Sequence, residues 1–192
     1  MSKTKNLTNI IIRDANKNDL AAIQNIYAYH VSYGLASFEE IPPDIQEISR
    51  RLMLAKKQAL PYLVAEYNGE IKGFSYASPF RKRIAYRYVI EDSVYVSQNS
   101  LRLGVGSQLL YSLIDRCTAL GFRQMIAVIG DSDNHASIRL HAKPGFIKPG
   151  LMPAVGFKLG RWVDSIRTVS YTHLRAHETD SYLVFRLLLE KK

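Results

Sequence analysis

The chain has 192 residues, of which 47% are apolar and 22% are charged, and this ordinary globular usage excludes a fibrous or intrinsically disordered protein. Its formal net charge of +9 fits a polyanionic partner: nucleic acid, an anionic membrane surface or a highly phosphorylated cofactor. The single cysteine, Cys117, excludes a disulfide framework and a cysteine metal site. Because no run reaches the ~20 apolar residues of a membrane helix and residues 1–9 lack a signal sequence, we expect one cytoplasmic domain.

The first part of the sequence predicts a strand, two helices and a β-hairpin. Three consecutive isoleucines mark a strand over residues 9–13, and Asn16 with Asp19 forms a helix-capping pair. An apolar stripe at helical spacing follows, made of Leu20, Ile23, Tyr27 and Val31. A second helix is predicted to begin at Pro43-Asp44 and to run through Leu54. The hairpin is indicated by Asn68-Gly69, which separates two runs of aliphatic and aromatic residues.

Strands and helices alternate in the second part. Val94-Tyr95-Val96 belongs to a predicted strand, residues 105–120 form an amphipathic helix, and residues 125–129 form a buried strand. This alternation predicts a parallel crossover. The remaining predicted elements are a short helix and two strands, over residues 134–143, 146–155 and 162–169.

The sequence beyond residue 169 does not continue this pattern. We therefore divide the chain into a domain over residues 1–169 and a carboxy-terminal appendage over residues 170–192. Sequence alone leaves open whether the appendage is a helical extension or a segment that is not native to the gene. Its His173 and His177 have helical spacing, but without a third ligand no zinc site is expected.

A glycine-containing turn, Arg102-Leu103-Gly104-Val105-Gly106-Ser107, lies between a predicted strand and a helix. Such a turn can bind phosphate, because glycine allows close approach and the helix amino terminus offers unpaired amides. Simple turn chemistry is the alternative. A dinucleotide-binding fingerprint is poorly supported, since the third glycine and the following acidic residue are missing.

Several segments, in their order and spacing, resemble the acetyl-CoA core of the GNAT superfamily of N-acetyltransferases. They are Val94-Tyr95-Val96, the glycine turn, Asn134 to Ser137, Leu140-His141 and Gly145-Phe146. Two further segments resemble the phosphinothricin acetyltransferases in particular: Tyr86 to Val96 and Gly160 to Asp164. The resemblance covers the chain from about Ile10 to Ile166. Leu101, Ala142 and Pro144 depart from the usual pattern of the superfamily.

The resemblance implies an α/β (α+β) fold with a mixed, mostly antiparallel twisted sheet flanked by helices and splayed at the cofactor site. It implies acetyl-CoA as co-substrate and no metal. In the family, the strand that matches Val94, Tyr95 and Val96 contacts the acetyl and pantetheine portion through its backbone. The residues matching Arg102–Ser107 hold the pyrophosphate, and Asn134 matches a further cofactor contact.

Glu91 and His141 are the predicted catalytic residues. N-acetylation requires a neutral amine, so a base must take a proton, and the family residue that matches Glu91 is proposed as that base. His141 stands where many members have a tyrosine thought to protonate the departing thiolate, which histidine can do near neutral pH. The alternatives are a solvated strand-end carboxylate and a packed or surface histidine.

A basic cluster over residues 81–87 fits three interpretations: a nucleic-acid surface, a solvated loop or a site for an anionic substrate. It falls where phosphinothricin acetyltransferases contact their substrate, so the resemblance implies a small-molecule amine and no nucleic acid. The substrate-binding residues that it implies are Phe38, Arg81, Arg83, Glu91, Asp92 and Ser93.

The expected function is direct acetyl transfer from acetyl-CoA to the amine of a small amino acid analogue such as phosphinothricin, methionine sulfoximine or methionine sulfone. Acetylation of a protein amino terminus or a lysine by the same core is an alternative. A coenzyme A- or nucleic-acid-binding module without turnover is another. The resemblance further implies a homodimer, and no membrane partner is expected.

Overall fold

A computed structural model of the chain describes residues 9–171, without the side chains of Pro149 and Tyr171. The α-helices are α1 (Leu20–Tyr33), α2 (Ile45–Lys57), α3 (Val105–Ala119) and α4 (His135–Ala142). The strands are β1 (Ile11–Asp14), β2 (Tyr62–Tyr67), β3 (Glu70–Pro79), β4 (Val89–Val96), β5 (Gln124–Gly130), β6 (Ile147–Lys158) and β7 (Arg161–Tyr171). Every helix and strand predicted for residues 9–169 is thereby confirmed, with bounds that shift by a few residues.

The start of α1 shows how local sequence directs the fold. Asn16 and Asp19 form the predicted capping box: the Asn16 side chain accepts from the Asn18 amide, and the Asn16 amide donates to the Asp19 carboxylate over 2.8 Å. Arg13 on β1 holds the same carboxylate through two hydrogen bonds of 2.7 and 2.8 Å. The first strand and the first helix are therefore joined by a largely buried ion pair.

The seven strands form one sheet in the order β1-β2-β3-β4-β5-β7-β6. Neighbouring strands are antiparallel except β4 and β5, which are parallel and are connected through α3. This arrangement confirms the predicted mixed, mostly antiparallel sheet and the predicted crossover.

Two apolar layers cover the sheet. On one side α3 packs through Leu109 and Leu113 against Ile90 and Met125, and we call this side the α3 face. On the other side α1 and α2 pack against an aromatic cluster that includes Phe74, and we call this side the α1 face. Since side chains alternate along a strand, each residue of β4 can be assigned to one face.

The sheet opens at its centre. β4 and β5 pair from Val89 with Gln124 to Asp92 with Ala127, and within the described chain no later residue of β4 pairs with β5. The two strands therefore diverge beyond Asp92, which gives the splay expected from the resemblance.

The last strand extends past the boundary placed at residue 169. β7 pairs with β5 through Ser170 opposite Met125 and Tyr171 opposite Gln124, and Ser170 is buried. These two residues complete the sheet, so the domain includes them. The rest of the predicted appendage, residues 172–192, lies outside the described residues.

Candidate active site

A large groove lies beside the splay, between the end of α1 and the helices α3 and α4. It has a volume of about 950 Å³ and is bounded by the last turn of α1, the beginning of α3 and the exposed side of α4. We call it the outer groove. Val96 and Leu140 supply an apolar wall. The charged side chains that line it are three cations and two carboxylates: Arg102, Arg139, Lys143, Asp131 and Asp133.

The first turn of α3 lines the outer groove. Gly104 adopts a left-handed conformation with φ of 85°, and no side chain caps the helix. The amides of the first turn are therefore left for a ligand or solvent, as helix geometry requires. A Cβ placed on Gly106 would lie 3.4 Å from Val96 and 3.5 Å from Leu140, so glycine keeps the groove open there.

The inner end of the groove leads into the splay itself. There a small cavity of about 50 Å³, the inner cavity, lies between β4 and β5 and shares Val94, Gly130 and Asn134 with the outer groove. Asn134 caps α4, because its side-chain oxygen accepts from the Ser137 amide over 3.1 Å. The cap fixes the beginning of α4 beside the open backbone edge of β4.

His141, on α4, lines the inner cavity and is 4% exposed. Its Nε2 donates to Oδ2 of Asp92 over 3.0 Å, and its Nδ1 donates to the carbonyl oxygen of Ser137 over 2.8 Å. The Ser137 carbonyl oxygen is an acceptor and so is an ionised Asp92, and this pair of partners favours a ring with a proton on both nitrogens. Burial alone lowers the pKa of His141, but the hydrogen bond and charge of Asp92 outweigh it and raise the pKa.

Glu91 lies on the opposite side of the strand. It pairs with Ser78 of β3 and Ile126 of β5 and faces the α1 face, whereas Asp92 and Ile90 face the α3 face. Burial raises the pKa of Glu91, the neighbouring Asp92 adds to this, and Arg167 and Arg81 oppose it. A carboxylate with a raised pKa, close enough to Arg81 and Arg167 for their charges to act on it, is suited to proton transfer.

A second cavity is located where the β3–β4 loop approaches β7. Its volume is about 530 Å³, and we call it the cationic cavity. It is lined by two aromatic rings and four cations: Phe80, Tyr86, Arg81, Lys82, Arg83 and Arg167. Such a lining favours an anionic ligand.

The structure separates some residues that the sequence had grouped. Asp92 does not belong with Arg81 and Arg83, because it is 5% exposed and bound to His141 on the opposite face. We therefore remove Asp92 from the substrate-binding set. Ser93 keeps its place, since it lies on the α1 face like Glu91 and lines the inner cavity.

Phe38 packs elsewhere. A Cβ added to Gly156 would lie 3.0 Å from its ring, so Phe38 covers this glycine of β6 and does not line the cationic cavity. The nearby Lys158 holds the chain before Phe38 by donating to the carbonyl oxygens of Gly34 and Ser37 over 2.9 and 2.6 Å. This contact fixes the segment that follows α1.

Two of the predicted cofactor-binding residues already make contacts that limit which of their groups a cofactor could bind. The Tyr95 side chain is buried in the aromatic cluster, 4.8 Å from the Tyr27 ring centre, which leaves only its backbone for a cofactor. The carbonyl oxygen of Val96 already accepts from Nε2 of His30 over 2.9 Å. Burial lowers the pKa of His30, so this ring favours the neutral form and anchors α1 to β4.

Arg167 and His30 are site residues that sequence reasoning missed. His30 lies on α1 beside the apolar stripe, and its spacing gives no hint that it reaches β4. Arg167 lies in a predicted strand, and only the strand order brings it next to the basic loop. The alternation of β7 could have indicated it, because a charged residue stands there between the buried Ile166 and Thr168.

Between residues 9 and 171, no helix combines the length and apolar content needed to cross a bilayer. Over that range, no cluster of three or more His, Cys, Asp or Glu side chains is arranged to hold a metal ion.

Comparison with known proteins identifies the family. The profile of the acetyltransferase (GNAT) family matches residues 23–146. The chain is 48% identical over 155 residues to a phosphinothricin N-acetyltransferase of Alcaligenes faecalis, a match that covers 81% of this chain and 79% of the relative. It is 40% identical over 154 residues to an L-methionine sulfoximine/L-methionine sulfone acetyltransferase of Pseudomonas paraeruginosa, covering 80% of this chain and 89% of the relative.

A solved structure agrees with the sequence matches. The crystal structure of a GNAT superfamily phosphinothricin acetyltransferase from Sinorhizobium meliloti, in complex with acetyl-CoA, aligns with a TM-score of 0.82 and 45% identity. The alignment covers 84% of this chain and 88% of that chain. The resemblance inferred from the motifs is thereby confirmed, and the chain belongs to the acetyltransferase (GNAT) family.

Proposed function

We propose that the protein transfers the acetyl group of acetyl-CoA to the amine of a small amino acid analogue of the phosphinothricin, methionine sulfoximine or methionine sulfone type. The observation that carries this proposal is the placement of Glu91 and His141 on opposite faces of β4, at the point where the sheet opens. A groove for a cofactor lies on one side of this opening, and a cationic cavity for the acceptor lies on the other.

The residues of the outer groove fit acetyl-CoA. Free amides at the first turn of α3 suit a pyrophosphate, and Arg102, Arg139 and Lys143 add positive charge. A side chain at Gly106 would occupy the groove. The apolar wall beyond this point and the open backbone edge of β4 suit an extended arm with amide groups, because unpaired strand groups need hydrogen-bond partners.

Acetyl-CoA supplies an activated acetyl thioester at the splay. On the acceptor side, Glu91 takes a proton from the substrate ammonium, directly or through water, which frees the nitrogen lone pair for attack. The raised pKa of Glu91, caused first by its burial, makes this carboxylate a stronger base than an exposed glutamate.

His141 acts on the other side of the strand. With Asp92 ionised, the ring of His141 carries a proton on both nitrogens, and it lines the inner cavity where the thiolate departs in this proposal. Because both N–H groups already have partners, the Nε2–H turns from Asp92 to the sulfur as it gives up its proton. The ammonium nitrogen loses two protons on its way to the amide. Glu91 takes the first before attack, and the second leaves after attack and restores, through water, the proton that His141 gives to sulfur.

The acceptor is held by cations. Arg81 and Arg83, from the loop between β3 and β4, suit the tetrahedral oxygens of a phosphinate, sulfoximine or sulfone, because guanidinium donors can bind two oxygens at once. This recognition also explains why a basic loop belongs to an enzyme for small molecules.

The homodimer implied by the resemblance is retained as part of the proposal. Its support is an apolar surface on the β6–β7 hairpin, where Phe157 and Trp162 are 55% and 67% exposed and their ring centres lie 5.3 Å apart. Large exposed apolar side chains side by side favour an interface. We expect Trp162→Lys to convert a dimer into a monomer in light scattering, whereas a wild-type monomer would refute this part.

The experiment that tests the function is product identification. The protein is incubated with acetyl-CoA and with phosphinothricin, methionine sulfoximine or methionine sulfone, and the products are analysed by mass spectrometry while released thiol is measured. The expected result is one acetyl group on the amine of at least one of the three compounds, with one thiol released for each. Acetyl-CoA binding without any thiol release would support the binding-module alternative and contradict the proposal.

A further inference from the structure

Arg167 is a cation in the acceptor region, close enough to Glu91 for its charge to lower the pKa of that carboxyl. It lies on β7 opposite Val128 of β5, and its Nε is buried with no hydrogen-bond partner among the described residues. A buried donor left unpaired is costly, so such groups are usually satisfied by a ligand, an ion or water.

The register of the sheet places Arg167 on the same face as Glu91. Glu91 pairs with Ile126, and Val128 is two residues further along β5, so the side chains of Ile126 and Val128 share a face. Arg167 pairs with Val128 and therefore points to the α1 face as well. Besides burial and Asp92, which raise the pKa of Glu91, Arg167 and Arg81 act on it in the opposite direction.

The cationic cavity receives its charges from two directions. Arg81, Lys82 and Arg83 come from the loop after β3, whereas Arg167 comes from β7, on the other side of β4 and β5. Among the described residues that line the cavity there is no carboxylate to neutralise them. Two separate anionic groups on one ligand would satisfy this arrangement.

We infer that Arg167 binds the α-carboxylate of the acceptor and thereby selects amino acids over simple amines. The inference rests on the proposed function and deepens it. In an α-amino acid the carboxylate is one carbon away from the amine, so a cation that reaches it must lie beside Glu91. The phosphinate or sulfone oxygens are several bonds further along the side chain, where the loop arginines can bind them.

The test compares two acceptors that differ only in the carboxylate: methionine sulfone and its decarboxylated analogue. Three variants are assayed with both: Arg167→Gln, Arg167→Lys, and Arg123→Gln as a control that removes an exposed cation outside the cationic cavity. Measurements are made above the acid limb of the pH profile, so that a change in the pKa of Glu91 does not contribute.

We expect Arg167→Gln to lower kcat/KM for methionine sulfone by about ten- to a hundredfold, as for one charge-assisted contact, and to leave the decarboxylated analogue nearly unchanged. Arg167→Lys should lose less, since it keeps the charge but not the two-donor geometry. The unchanged activity on the analogue also shows that the variant is folded.

Other outcomes of this comparison would contradict the inference or the proposed function. An equal loss on both acceptors, or no loss on either, would overturn the inference and leave the proposed function intact. Wild-type protein that acetylates neither acceptor, and neither phosphinothricin nor methionine sulfoximine, would overturn the proposed function and the inference with it. As a contrast, Arg81→Gln should reduce the preference for methionine sulfone over norleucine, which has the α-carboxylate but no sulfone oxygens.

Discussion

The imidazole of His141 donates to the Asp92 carboxylate over 3.0 Å, and the two side chains form a buried charged pair beneath the open edge of β4. The pair joins α4 to β4. Asp92 therefore fixes the helix that carries His141, the proposed acid, and its charge favours the protonated form of that ring. Its other nitrogen is held by the Ser137 carbonyl, which sets the ring orientation.

Asp92→Asn should lower the pKa of His141 and weaken the fold. The raised pKa of His141 means that its contribution to stability is present below the unfolded value of about 6.5 and is lost as the pH rises through the folded value. In the variant, this dependence of stability on pH should disappear. The free energy of unfolding should fall by about 1–3 kcal/mol at acid to neutral pH. Histidine NMR titration and urea unfolding at several pH values measure both effects. An unchanged His141 titration would contradict the ion pair.

Glu91→Gln should lower kcat by about 10²–10⁴-fold while acetyl-CoA affinity stays near the wild-type value, because the change removes basicity and keeps the shape. In the wild type, the acid limb of kcat should lie above the range of an ordinary glutamate, as the raised pKa requires. The same shift implies that the ionised carboxylate is disfavoured by folding, so the variant should be slightly more stable at neutral pH. Near-normal turnover of the variant at every pH would assign the base to another group or to water.

Gly106→Ala tests the first turn of α3 with little disturbance of the fold. Its Cβ would meet Val96 and Leu140 at 3.4 Å or more, which is ordinary contact, so the protein should fold. Acetyl-CoA affinity should fall by about tenfold or more, because the added carbon fills space beside the amides that bind phosphate. Gly104→Ala is the contrast, since the left-handed conformation at φ of 85° should cost about 1–2 kcal/mol of stability. Calorimetric titration with acetyl-CoA that gives wild-type affinity for both variants would remove the phosphate site from this turn.

Truncation tests the corrected domain boundary. Removal of residues 172–192 should leave the melting temperature and turnover largely intact, because every motif of the family resemblance lies upstream. A further deletion of Ser170 and Tyr171 should destabilise the protein, since these residues pair with β5. If the shorter deletion already abolishes soluble, active protein, the appendage is part of the core.

Much of the fold could be predicted because local signals are strong. The Asn68-Gly69 turn, the capping box before α1 and the glycines around α3 each specify a local geometry, and the apolar periods follow those elements. The motif order then predicted the splay. Local sequence does not show which face of the sheet a residue occupies once the strands are ordered.

This limit explains which contacts within the site the sequence could not indicate. Glu91 and Asp92 are neighbours in sequence but lie on opposite faces of β4, so Asp92 contacts His141. Arg167 is 76 residues from Glu91 in the numbering and becomes its neighbour only through the order of β4, β5 and β7. The contact of Phe38 with Gly156 likewise depends on where β6 lies.

The most direct test of the account is the ratio of kcat/KM for methionine sulfone to kcat/KM for a peptide amino terminus, measured with wild-type protein through thiol release. A site with cations for both a carboxylate and a sulfone should prefer methionine sulfone by at least about a hundredfold, since a peptide amine has neither group beside it. A protein that acetylates the peptide readily and ignores methionine sulfone, methionine sulfoximine and phosphinothricin would contradict the substrate assignment, although the protein would still be an acetyltransferase.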